Sequence, residues 1–254
     1  MFNQPIPIVT KNLLIINALF FLGMMAIGFE PLSPDSNFLY KYLSLHYWSS
    51  PDFQPYQLIS YMFMHGGFTH ILFNMFALWM FGSAIENYWG PKRFMVYYFV
   101  TGIGAGLIQL LTIYIQIQNV LPGVPPALIE VANQGNLDAV NDALHHYAGK
   151  VDIDALSSYF YLVRSTVVGA SGSVFGLLLA FGMMFPNTPL YLMFIPVPIK
   201  AKYMVIGYGL IELYSGISNN PNDNIAHFAH LGGMLFGIVL ILYWKKKGSF
   251  YKPY

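Results

Sequence analysis

The sequence predicts an all-α polytopic membrane protein, a bundle of six transmembrane helices with both termini on the cytoplasmic side. Three observations carry that expectation. The 254-residue chain is 56% hydrophobic and 9% charged, where a soluble domain carries about 25% charged residues. Six apolar runs have or approach the roughly 17–25 residues needed to cross the hydrocarbon core. The cations are also unevenly shared between alternate connections, as the positive-inside rule requires.

The six runs are Asn12–Phe29, Gln57–Ile85, Phe94–Gln116, Val167–Phe185, Lys202–Ile217 and Ile225–Trp244. The first resembles a signal-peptide core, with Ala26-Ile27-Gly28 as a weak cleavage site. It carries one preceding lysine and is long for a signal, so a retained helix is expected. The second is long enough to start near the outer surface, and the fifth is the shortest. With the N-terminus inside, inner segments hold Lys11, Lys92, Arg93, Lys200, Lys202, Lys245, Lys246, Lys247 and Lys252. Outer segments hold Lys41, Lys150 and Arg164.

The whole chain, 1–254, reads as one membrane domain in a lipid bilayer. An outer loop at 30–56 is rich in aromatics (Tyr40, Tyr42, Tyr47, Trp48, Phe53), which suit the membrane–water interface. An acidic outer insertion spans about 117–166. Pro122, Pro125 and Pro126 end the preceding helix, and Ala127–Tyr147 reads as one or two short amphipathic helices. That insertion is either an ordered surface element or a lid or platform for substrate. A short loop at about 218–224 is placed to cap the outer end. Net charge of +1 excludes the broad basic footprint of a nucleic-acid binder. The chain has no cysteine, so disulfides, thiol nucleophiles and thiolate metal sites are excluded.

Polar groups inside hydrocarbon are costly unless paired or facing water, so each needs a reason. Ser171 stands between helix-breaking glycines in Gly169-Ala170-Ser171-Gly172, at the head of the fourth run. Its surroundings also make a small-residue surface for close helix packing. Gly-x-Ser-x-Gly is absent, so this is no α/β-hydrolase elbow. In the second run His70 and Asn74 are four apart and share a helix face. Two nitrogen donors facing one cavity suit a developing oxyanion; they equally suit interhelical hydrogen bonding.

A serine nucleophile needs a base. His230, Gly233 and Gly237 form one narrow stripe in the sixth run, with a Gly-x-x-x-Gly face that permits close packing. That register favours His230 as the partner of Ser171, with His227 as rival. Glu86 lies at the opposite end and reads as a helix-end anchor. Glu212, in the fifth run, reads as a buried hydrogen-bond partner or a proton relay. No acid is expected to complete a triad, so a Ser-His dyad results. No carboxylate stands within a turn of His227 or His230, and no metal or cofactor is expected. A serine and a histidine in different membrane helices point to a hydrolase working inside the bilayer.

With these residues in hand, the chain resembles the rhomboid family of intramembrane serine proteases. The resemblance rests on His65-x4-His70-x3-Asn74, on Gly169-Ala-Ser171-Gly, and on Ala229-His230-x2-Gly233-x3-Gly237. It covers Asn12 to Trp244. It implies a Ser171 nucleophile, a His230 base, and an oxyanion hole from His70, Asn74 and the Ser171 backbone N–H. The family commonly stacks a tyrosine on its catalytic histidine; Phe175 stands at that position. A Trp-Arg pair common in the first outer loop is replaced by Tyr56-Gln57, which leaves that loop's anchoring open. The resemblance implies cleavage of transmembrane or juxtamembrane segments of other membrane proteins, through an acyl-enzyme. Family habit places such a protein in the bacterial inner membrane. A catalytically inactive relative that binds and escorts membrane helices is the alternative.

Overall fold

The first helix of the protein starts where a carboxylate meets it. A helix leaves its first N–H groups without intrahelical partners. In α1 (Ile8–Ala26) two of these donate to Glu86, Val9 N at 2.9 Å and Thr10 N at 2.7 Å, and the Thr10 hydroxyl adds a third bond at 2.8 Å. The negative charge also opposes the positive end of the helix dipole. Glu86 is thus the anchor its position suggests. The computed structural model describes residues 5–28, 37–133, 152–192, 195–218 and 225–248, with 142, 145–147 and 149 between them. The expected cap loop, after Ser218, lies outside the described residues, as do parts of the two long outer segments.

The outer loop carries α2 (Phe38–Leu43) and strand β1 (Leu45–His46), and leads to α3 (Gln57–Ser60), which ends in a 3-10 turn at Tyr61–Phe63. Its anchoring is supplied by Gln57, which is fully buried. The Gln57 amide donates to the carbonyls of Tyr42 (3.1 Å) and Asp52 (2.9 Å). Its oxygen accepts from the N–H groups of His46 (3.3 Å) and Gln54 (3.1 Å). One amide side chain therefore ties both ends of the loop, at the position where the sequence leaves the question open.

The second apolar run is not one helix. After the 3-10 turn the chain is extended at Met64 and at Gly67, and a new helix, α4, runs from Phe68 to Trp89 with a π-helical stretch at Leu78–Gly82. The interruption at Gly66-Gly67 sets His65 and His70 on either side of a break. Gly90 then turns the chain with φ of 79°, a conformation glycine adopts without steric cost, and Pro91 opens α5 (Pro91–Val120). This helix runs four residues beyond the predicted end and stops before the prolines, in a short turn at Leu121–Gly123.

Within the insertion, α6 (Pro126–Asn133) and α7 (Ile153–Arg164) are helical, and the Asp152 side chain caps α7 through the N–H groups of Asp154 and Ala155. Strand β2 (Thr166–Val167) pairs antiparallel with β1, Leu45 opposite Val167, so the outer loop is stitched to the segment that precedes Ser171. Then come α8 (Ser171–Met184), an antiparallel hairpin of β3 (Pro189–Leu192) and β4 (Ile195–Lys200), α9 (Ala201–Ser218) and α10 (His227–Lys246). The two small sheets depart from an all-α expectation. In β4 the alternation Ile195-Pro-Val197-Pro-Ile199 is a period-two pattern, within a segment expected to be an inner loop.

The core is built on α5, α8 and α10, which pack on one another more extensively than on the other long helices. Small residues bring them together, as membrane helices require. A Cβ on Gly233 would collide with the Gly172 carbonyl, one on Gly172 with the Ala105 side chain, and one on Gly237 with the Tyr97 hydroxyl. Hydrogen bonds join α5 to α8, with Tyr97 Oη–H donating to Gly176 O (2.8 Å) and Ser173 Oγ–H to Tyr98 O (2.8 Å), and tie the 3-10 turn to α5 through Tyr61 Oη–H and Gly102 O (2.6 Å). Among the described residues, four helices are long and apolar enough to cross a membrane: Ile8–Ala26, Phe68–Trp89, Pro91–Gly123 and His227–Lys246. The remaining two predicted spans are weaker. Helix α8 has 14 residues, or roughly 21 Å at 1.5 Å each, and α9 contains Lys202 and Glu212. The molecule is a mostly helical, polytopic membrane protein.

Candidate active site

Ser171 is the first residue of α8, where a helix presents unpaired N–H groups and the positive end of its dipole. The approach to it is held by Gly169, whose N–H donates to Tyr61 O at 2.9 Å. Gly169 has φ of +120°, a conformation side chains rarely adopt. There is also no room for one: a Cβ there would lie 2.7 Å from His70 Nε2 and 3.6 Å from Ser171 Oγ. Glycine at 169 therefore lets the His70 ring reach the serine end of α8.

His230 lies in the first turn of α10 and is buried. Its Nε2 is 2.9 Å from Ser171 Oγ, and its Nδ1 is 2.9 Å from Oε2 of Glu212. An ionised carboxylate can only accept, so Nδ1 carries the ring proton and donates it. Nε2 is then a lone-pair acceptor, and the Ser171 hydroxyl donates to it. Phe175, one turn along α8, stacks on the imidazole with centroids 4.2 Å apart and planes 8° from parallel. Tyr208 meets the edge of Phe175 from α9. The ring of His230 is thus fixed by a serine, a carboxylate and an aromatic face.

The expectation that no acid completes the constellation is overturned by Glu212. The same Oε2 that accepts from His230 accepts from His227 Nδ1 at 2.7 Å. His227, the rival base, faces the carboxylate here, and it is His230 that meets the serine. Both histidines lie in the first turn of α10, and the Glu212 carboxylate of α9 reaches them both. An acid in the middle of Ile211-Glu212-Leu213 demands a partner, and the two histidines at the start of the next apolar run are the signal that points to one. Glu212, His227 and His230 also form a cluster whose ligand atoms lie within 4.8 Å of one another. Tetrahedral zinc with bonds near 2.0–2.1 Å would separate its ligand atoms by roughly 3.3 Å; the 2.7 and 2.9 Å spacings to one oxygen are those of hydrogen bonds.

His70 and Asn74 lie in the first two turns of α4. His70 Nδ1 accepts a long bond from Gly66 N–H at 3.4 Å, which leaves Nε2 to carry the proton beside Gly169. Asn74 is buried, and its amide donates to the His70 carbonyl at 2.9 Å, so the structure engages it on its own helix. Its second N–H remains as donor capacity. The site thus gathers Ser171, His230, Phe175, Glu212 and His227, with His70 next to the serine and Asn74 one turn further along α4.

The chain is similar to known proteins. The family model of the Rhomboid domain matches residues 52–118 and 142–247. Rhomboid-like protein 16, chloroplastic, of Arabidopsis thaliana is 25% identical over 245 residues, 95% of this chain and 63% of that protein. Rhomboid protein 1, mitochondrial, of Saccharomyces cerevisiae is 25% identical over 244 residues, 93% of this chain and 54% of that protein. Rhomboid protease GluP of Bacillus subtilis is 38% identical over 48 residues, 19% of this chain and 10% of that protein. The chain therefore spans between half and two thirds of the length of the two relatives it matches most fully. Those two are chloroplastic and mitochondrial by name, so the bacterial inner membrane expected from family habit is not supported; an integral membrane protein is. From the matched residues, and from helices long and apolar enough to span a bilayer, the chain belongs to the rhomboid family.

Proposed function

We propose that this protein is an intramembrane serine endopeptidase that cuts transmembrane or juxtamembrane segments of other membrane proteins. One observation carries the reading: the 2.9 Å contact between Ser171 Oγ and His230 Nε2, joining the first turns of α8 and α10. Six spans with both termini on the cytoplasmic side would put this pair just below the outer surface, in reach of water. The cation distribution supports that orientation.

In the proposed reaction Ser171 Oγ attacks the scissile carbonyl carbon while His230 Nε2 takes the hydroxyl proton. The carbonyl oxygen becomes an oxyanion, met by the Ser171 backbone N–H, His70 Nε2–H and the free N–H of Asn74. Collapse breaks the C–N bond, and His230 returns the proton to the leaving amine. A water then attacks the acyl-serine by the same path, releasing the acid and restoring Ser171. Phe175 keeps the imidazole in plane throughout. Substrate would arrive sideways from lipid past α9, the helix with the fewest buried residues among the long ones. A helix must unwind before its carbonyl can meet the serine, so small and helix-breaking residues are expected beside the cleaved bond.

The test is labelling of the detergent-purified protein by a fluorophosphonate, alongside Ser171→Ala and His230→Ala. Labelling of the parent that disappears in both variants supports the dyad. Labelling that survives His230→Ala moves the base to His227. A parent that never labels, in detergent or in lipid, returns the protein to the helix-binding, inactive reading.

A further inference from the structure

Resting on the protease reading, we infer that Glu212 is a positioning residue that turns the Ser171–His230 pair into a three-member relay, and that His227 is the clamp that aims it. Imidazole is ambiguous by itself, since either nitrogen can carry the proton. Only the form protonated at Nδ1 leaves Nε2 free to accept from Ser171. The Glu212 carboxylate, 2.9 Å from Nδ1, favours that form and would face the imidazolium created when serine gives up its proton. Phe175 contributes a ring face and no acceptor, so it cannot choose between the tautomers. Among the described residues, Glu212 is the group seen bonded to His230 Nδ1.

The aim of the carboxylate is not left to chance. Glu212 is buried although its neighbours Ile211 and Leu213 are exposed, so the charge points into the bundle. A buried carboxylate must be hydrogen-bonded to be tolerated, and His227 Nδ1–H supplies the shorter of its two bonds at 2.7 Å. Both imidazoles meet the one oxygen, Oε2. His227 therefore holds in place the oxygen that His230 uses. The two rings stand 6.4 Å apart and nearly perpendicular, close enough to share an acceptor without contact between them. Positions 212, 227 and 230 lie on the two helices flanking the loop at the outer end, so the relay also ties α9 to α10.

The experiment pairs two readouts on Glu212→Gln and Glu212→Ala. The first is the ¹⁵N spectrum of histidine-labelled protein in detergent, which reports the His230 tautomer whether or not the protein cleaves anything. The second is kcat and KM on a single-span substrate in liposomes. Glutamine keeps one acceptor oxygen without charge, so the Nδ1–H form should persist and kcat should fall about ten- to a hundredfold. Alanine removes the acceptor, so the tautomers should mix and kcat should fall roughly a thousandfold or more at little changed KM. A parent that shows the Nδ1–H form, lost in Glu212→Ala, but has no activity would sink the protease reading and leave the positioning role standing. An active parent whose Glu212→Ala retains kcat within twofold and the same tautomer overturns the inference. If the alanine variant does not fold, the near-isosteric glutamine variant decides: full kcat overturns, a ten- to hundredfold loss supports.

Discussion

Two parts of the molecule meet at His230 and are built on opposite principles. The three-helix core of α5, α8 and α10 is joined by glycine surfaces, with Gly233 set directly against the Gly172 carbonyl and Gly176 against Thr101. Helix α9 instead buries only Ala201, Val205 and Glu212, and leaves Leu210, Ile211, Tyr214 and Ile217 each more than half exposed. In the core, geometry comes from close contact of backbones. In α9 it comes from a charged group reaching inward, helped by Tyr208 against Phe175 and Gly216 against Phe228. The difference teaches that Ser171 and His230 sit on closely packed helices, while the carboxylate bonded to the histidine arrives on a helix with most of its surface exposed.

Four perturbations break or sharpen this contrast. Gly233→Val should have the largest effect: the new side chain cannot coexist with the Gly172 backbone, and overpacking of this kind costs about 3 kcal/mol or more. Thermal unfolding in detergent should show a drop of many degrees and no fluorophosphonate labelling; a native melting point would disprove the backbone contact. Glu86→Ala comes next, since it leaves the first turn of α1 uncapped and costs about 1–3 kcal/mol. The melt should shift while the labelling rate of the folded fraction stays at the parent value, because the cap lies at the far end from Ser171.

Phe175→Ala removes the face on which His230 rests, a contact of about 0.5–1.5 kcal/mol. The labelling rate should fall roughly three- to tenfold with a small change in melting point, and Phe175→Tyr should restore it. An unchanged rate for the alanine variant would show that Glu212 alone fixes the ring. The smallest effect is expected for Leu210→Ala on the exposed flank of α9, within about 0.5 kcal/mol. A shift as large as that of Glu86→Ala would mean that α9 is held by more than its inward-facing residues.

These contrasts were unevenly legible in the sequence. Hydropathy and prolines are local properties, so α1, α5 and α10 are readable to within a few residues. The stripe His230, Gly233 and Gly237 is readable because helical spacing alone puts these residues on one face. The break at Gly66-Gly67 was not, because an apolar run hides it. Gln57 was noticed only for lacking the residue expected there, although a long polar side chain at the start of an apolar run had four loop partners to satisfy. Glu212 stands out as a charge in an apolar run, but its partners depend on how α9 and α10 pack, which no local pattern states. Two short sheets escaped because two- to six-residue strands carry little signal of their own.

The contact of Gly233 with the carbonyl of Gly172 has a consequence for how tolerant this chemistry is to change elsewhere. Ser171 is the residue before one partner of that contact, and His230 lies one helical turn before the other. The separation of the Ser171 and His230 backbones is therefore measured off main chain against main chain, and side chains set only the last step between them. Side chains facing lipid can drift over generations, or be replaced by design to suit a thicker or thinner bilayer, while that gauge stays constant. Recoding the outer faces of α1, α4 and α9 for a different membrane should therefore alter which substrates arrive long before it alters how the bond is cut.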